Sequence, residues 1–214
     1  MLIFYRISGW FVTITEISLA IFAIKTKRMW QGKYVFLGIL FCYNAVSDIF
    51  SIITSLLLTN NLFLEYILAP THFTLKALYL RDFHKNKIVR WGVILLIIVY
   101  VSLNIFTAFY KDGYKSMNTV SMIINRVFFI LFTVWNLTLM FKNKGISGKL
   151  RQNPDFWFTA TMLCLAFRGI IFSIITDVSY SAGSDLVLYA VFISENLINV
   201  FLLYGYFKGV KLLR

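Results

Sequence analysis

The sequence predicts an all-α fold: a polytopic bundle of seven transmembrane helices in a single integral membrane domain, residues 1–214. Three observations predict it. The composition is 59% hydrophobic and only 14% charged, whereas a soluble domain carries about 25% charged residues. Apolar stretches long enough to cross a bilayer, about 20 residues each, follow one another along most of the chain. In addition, Cys42 to Thr54 (CYNAVSDIFSIIT) returns 122 residues later as Cys164 to Thr176 (CLAFRGIIFSIIT), identical at seven of 13 positions.

The first span, 4–24, is interrupted by Thr13, Thr15 and Glu16 and ends at Lys25-Thr-Lys27-Arg28. With no Ala-x-Ala-like cleavage site and with positive charge behind it, it reads as an uncleaved anchor rather than a signal peptide. The second span, 35–58, holds the first copy of the repeat, and the turn Thr59-Asn60-Asn61 leads into the third, 62–80. There Pro70 frees a backbone carbonyl and is expected to kink the helix. The fourth span is 91–110. The fifth, 119–141, ends in Lys142-Asn-Lys144 as the first ends in Lys25-Thr-Lys27. A longer loop, Gly145 to Asp155, precedes the sixth span, 156–177, which carries the second copy; the seventh is 186–207. The connections Lys111 to Asn118 and Val178 to Asp185 are polar and contain Gly113 and Gly183. Short connections make consecutive helices antiparallel neighbours.

The repeat predicts two three-span units, about 4–80 and about 119–207, with a linking span at about 91–110. Units of three spans separated by one enter the membrane in the same direction, so an axis along the membrane normal relates them.

The net charge of +12 is unevenly placed. On alternate connections one side receives Lys25, Lys27, Arg28, Lys33, Arg81, Lys85, Lys87, Arg90, Lys142, Lys144, Lys149, Arg151, Lys208, Lys211 and Arg214. The other side has only Arg6, Lys111 and Lys115. The positive-inside rule then sets the N-terminus outside and the C-terminus in the cytoplasm, in a bacterial inner membrane. The basic loops are expected to meet anionic headgroups of the lipid bilayer or a membrane or cytoplasmic signalling partner. No nucleic-acid partner is expected from basic residues distributed in this way.

Ionisable groups at bilayer depth cost about 2.5–3.5 kcal/mol each unless paired or hydrated. The candidate ligand-binding or ion-pair residues are Glu16, Asn44, Asp48, His72, Lys76, Arg126, Arg168, Glu195 and Asn199. Helical spacing gives them faces: Asn44, Asp48 and Ser51 on the second span, Glu65, His72 and Lys76 on the third, Glu195 and Asn199 on the seventh. Asn125, Arg126 and Asn136 lie on the fifth. Two readings stay open: interhelical glue, for example Asp48 with Arg168, or a polar cavity for a ligand or ions. The repeat copies differ at these positions, Asp48 aligning with Ile170 and Arg168 with Val46, which makes any such site asymmetric.

Seven spans with an exterior N-terminus resemble the rhodopsins, but the seventh span has no lysine before Lys208 to hold retinal. The three-one-three topology is similar to that of SWEET and PQ-loop proteins, without their Pro-Gln motif, since Thr71 follows Pro70. The segments EYILAPTHF and SENLINVFLL resemble small uncharacterised seven-span bacterial membrane proteins, a likeness that implies no activity. With His72 and His84 the only histidines, no metal site is expected, and no cofactor is expected. Cys42 and Cys164 read as small packing residues. With no catalytic motif and no effector domain, the expected function is that of a non-enzymatic sensor. It binds a small ligand in a mid-membrane polar cavity and regulates a partner. A small-solute or ion transporter is the alternative, and an intramembrane lipid-modifying enzyme comes third.

Overall fold

The computed structural model describes residues 2–57, 65–111, 119–144, 148–181 and 185–214. The turn expected at 59–61 lies outside the described residues, as do 112–118 and 182–184 of the connections expected at Lys111 to Asn118 and Val178 to Asp185; α6 extends through Val178 to Ser181. Among the described residues there is no strand. The helices are α1 (Leu2–Ile24), α2 (Tyr34–Leu57), α3 (Glu65–Arg81), α4 (Lys87–Phe106), α5 (Thr119–Lys144), α6 (Pro154–Ser181) and α7 (Asp185–Leu213). Helix is the form such apolar segments adopt in lipid, because it satisfies every backbone group within the segment.

Six of these helices are long and apolar enough to cross a membrane: α1, α2, α4, α5, α6 and α7. This is the character of an integral membrane protein. The third expected span differs. Its described part is the 17-residue helix α3, and Thr71, His72, Thr74 and Lys76 dilute its apolar surface. The helix continues through Pro70.

Local signals set the helix ends. Gly32 takes φ +54, a left-handed value that favours glycine, between the 3-10 turn Lys27–Trp30 and α2. Asn86 caps α4 by accepting from the Ile88 amide at 2.8 Å. Asn153 does the same for the Asp155 amide at 3.2 Å, with Pro154 at the first helical position, where a missing N–H costs nothing. A π-helical turn, Thr107–Lys111, follows α4.

Two compact units emerge: residues 27–125, and residues 1–26 together with 126–214. In the first, α3 packs between α2 and α4. Tyr34 meets Tyr79 at 6.3 Å and Tyr43 meets His72 at 5.4 Å, so α2 and α3 run antiparallel. Phe73 stacks on Tyr100 of α4 at 4.0 Å. The least apolar helix therefore supplies core residues, with Phe73, Ala77, Tyr79 and Leu80 all buried. On α4, Ile88, Trp91, Leu95 and Ile98 form an exposed apolar stripe at helical spacing, a surface suited to lipid.

In the second unit α7 carries α1 on one flank and α6 on another. Phe22 lies 6.2 Å from Phe207, and the Asn196 amide donates to the Ser8 hydroxyl at 3.0 Å. Both numbers rise together along the two helices, so α1 and α7 are parallel. Against α6 the order reverses: Gly205 faces Thr161 and Gly209 faces Phe158, making that pair antiparallel.

Candidate functional site

The nine candidate residues divide between the two units. Asn44, Asp48, His72 and Lys76 belong to residues 27–125, whereas Glu16, Arg126, Arg168, Glu195 and Asn199 belong to the other unit.

On the α2–α3 seam, His72 presents its ring to Tyr43 edge-on at 84°. The Tyr43 hydroxyl, Asn44 Oδ1 and His72 Nε2 are buried and have no hydrogen-bond partner. Buried polar atoms are nearly always satisfied, and leaving one unmet costs about 1–3 kcal/mol. Three on two touching helices are therefore unusual. They combine a hydroxyl that donates and accepts, an amide oxygen that accepts, and an imidazole nitrogen that does either by tautomer. Lys76 follows His72 by one helical turn, and Asp48 follows Asn44 by one turn, so a charge of each sign adjoins the seam. The Glu65 side chain lies outside the described residues.

The second cluster is one of ion pairs. Arg168 of α6 meets Glu195 of α7 at 3.7 Å, both side chains mostly buried, and Glu16 of α1 acts on the same guanidinium. Within its own unit, Arg168 thus has Glu195 as an acidic partner. Arg126 of α5 lies across α6 at Gly169, where a Cβ would stand 2.8 Å from its Nε. Only glycine lets the guanidinium pass that close. Asn199 is half-buried one turn beyond Glu195. Two acids and two arginines give this cluster balanced charge, and such a network fixes helix positions.

Basic residues near the ends of α2, α3 and α4 form their own contacts. Arg81 and Arg90 both reach Asp82, at 2.9 and 3.1 Å. Lys33 lies 3.7 Å above the Phe83 ring, a cation–π contact. Among the described residues no three of His, Cys, Asp or Glu converge as a metal site. Cys42 and Cys164 are free thiols; Cys164 is exposed rather than packed.

The sequence reading did not single out Tyr43, because a tyrosine in an apolar helix carries no signal by itself. Nor did it single out Gly205 and Gly209, whose spacing in GYFKG is the small-xxx-small pattern of close helix crossings. Compared with known proteins, the chain matches no family model, no curated protein and no solved structure.

Proposed function

We propose that this chain is a non-enzymatic membrane protein that binds a small polar ligand on the α2–α3 seam and signals its presence to a partner. The observation that carries this reading is the set of buried, unsatisfied atoms on Tyr43, Asn44 and His72. A ligand bearing both donors and acceptors recovers their lost hydrogen bonding. The cluster around Arg168 also leaves one buried atom, Nε, without a hydrogen-bond partner, but its charge is met by Glu195, which suits a role as glue. The partner is a membrane or cytoplasmic protein, reached through the basic loops, which also meet anionic headgroups.

The orientation in this proposal has the N-terminus outside and the C-terminus in the cytoplasm of a bacterial inner membrane, as the charge distribution favours. It also includes the three-one-three repeat. What supports the repeat is the sequence match of Cys42–Thr54 with Cys164–Thr176.

Native mass spectrometry of the protein purified in mild detergent tests the ligand. A discrete small-molecule adduct is expected in the wild type and is lost in Asn44→Leu and His72→Leu, with Arg90→Gln as the control that keeps it. Identical spectra for all three variants and the wild type would sink the reading. The second reading, a transporter, draws on the repeat and its likeness to SWEET topology. It requires that the released molecule cross liposomes containing this protein alone and that Asp48→Asn stop the flux.

A further inference from the structure

A second polar position, separate from the α2–α3 seam, lies between α5 and α6. Arg126 sits against Gly169, and Phe141 meets Phe156 at 6.4 Å, so these helices run antiparallel. From Arg126, buried residues of α5 recur at three, four and three, namely Phe129, Thr133 and Asn136, with Phe132 buried beside them. From Gly169, buried residues of α6 recur at the same steps, namely Ala166, Met162 and Thr159, with Thr161 buried toward α7. Each stripe is one helical face. Counted from the Arg126–Gly169 contact in antiparallel register, Phe129 falls level with the small Ala166 and the last rung puts Asn136 level with Thr159, both 0% exposed.

On that rung two atoms lack hydrogen-bond partners, Asn136 Oδ1 and Thr159 Oγ1. The Asn136 amide is oriented, because Nδ2 donates to the Phe132 carbonyl at 2.8 Å; the free atom must be the acceptor oxygen. Thr159 also stands apart from its kind. Thr26, Thr54 and Thr107 each donate to the carbonyl four residues back, at 2.9, 3.0 and 3.0 Å, and Thr133 does the same to Phe129. Thr159 leaves that option unused, and its hydroxyl has no other hydrogen-bond partner.

We infer that this rung binds one neutral hydroxyl oxygen, which donates to Asn136 Oδ1 and accepts from the Thr159 hydroxyl. A charged group is disfavoured, since the rung offers no counter-charge and sits in a fully buried position. The same chemistry has two sources, a water molecule or the hydroxyl of a small alcohol.

The test compares thermal unfolding of Asn136→Leu, Thr159→Val and the double variant in one detergent. Each single substitution strands the opposite group and lowers Tm by about 2–6 °C. The double variant removes both groups, so its Tm falls no further than that of the worse single variant. A double-variant loss equal to the sum of the singles overturns the inference. A crystal structure of the wild type gives an independent reading. One non-protein oxygen within about 3.2 Å of both atoms is expected, and a direct Asn136–Thr159 hydrogen bond overturns it. Native mass spectrometry separates the sources. An alcohol adds a discrete mass that Thr159→Val lacks, and water leaves the mass unchanged while the non-additivity persists.

Discussion

Phe158 of α6 occupies the space that a side chain at Gly209 of α7 would need: a Cβ there would stand 2.5 Å from the ring carbon Cε1. One turn earlier, Gly205 faces the Thr161 hydroxyl just as closely. The two glycines open a groove on α7 into which α6 settles. In lipid, where burial against another helix gains little over burial against acyl chains, such close packing supplies much of the association.

Gly209→Ala is therefore expected to destabilise the protein by about 1–3 kcal/mol, the usual cost of overpacking a filled site. Gly92→Ala is its control, because nothing lies within 4 Å of the added Cβ. Alanine there favours the helix by about 0.5–1 kcal/mol. Unfolding in a denaturing detergent titration checks both. Equal effects at the two positions would remove the groove from the account.

The Arg168–Glu195 pair yields a second prediction. Arg168→Met removes the cation that meets Glu195 and is acted on by Glu16, and stability falls by about 1–3 kcal/mol, below the range for fully buried pairs. Glu195→Gln costs less, because Glu16 still acts on the guanidinium. The variant combining Arg168→Met, Glu195→Gln and Glu16→Gln recovers most of the loss if the cluster is glue. A triple variant as unstable as Arg168→Met alone contradicts that role.

Much of this was legible in the sequence, and the limits have physical reasons. Mid-helix charge is expensive in a bilayer, so Glu16, Arg126, Arg168 and Glu195 stand out in any reading of the chain. Helical spacing assigns a residue to a face but says nothing of which helix covers that face. For that reason spacing alone does not choose between Asp48 and Glu195 as an acid for Arg168. The α3 helix was harder to read. Its polar residues mark it as less suited to lipid, yet Phe73, Ala77 and Leu80 are among the most buried residues of the chain. Tyr43 gains significance only once α2 and α3 are seen to meet at His72.

Topology gives the third prediction. In a variant with Cys42 and Cys164 replaced by serine, Arg6→Cys and Lys85→Cys place single thiols at exposed positions. A membrane-impermeant maleimide added to intact cells is expected to label Arg6→Cys only, and Lys85→Cys only after permeabilisation. The opposite pattern reverses the proposed orientation, and labelling of both from outside excludes it.

The last prediction concerns His84, between α3 and α4. Its side chain is buried, and burial lowers its pKa below the ordinary value of 6.5. The unfolded chain then binds a proton at a higher pH than the folded one. The stability linked to this histidine is complete above about pH 6.5, the unfolded value, and is lost as the pH falls toward the folded pKa. Tm should accordingly decline on acidification from about pH 7.5 to about 5.5. His84→Phe, which keeps a ring in the site and removes the titration, should flatten that decline. The rest of the chain is the same in both proteins, so the difference between the two curves isolates His84. Two parallel curves mean that His84 is as readily protonated in the folded chain as in the unfolded one, which its buried position opposes.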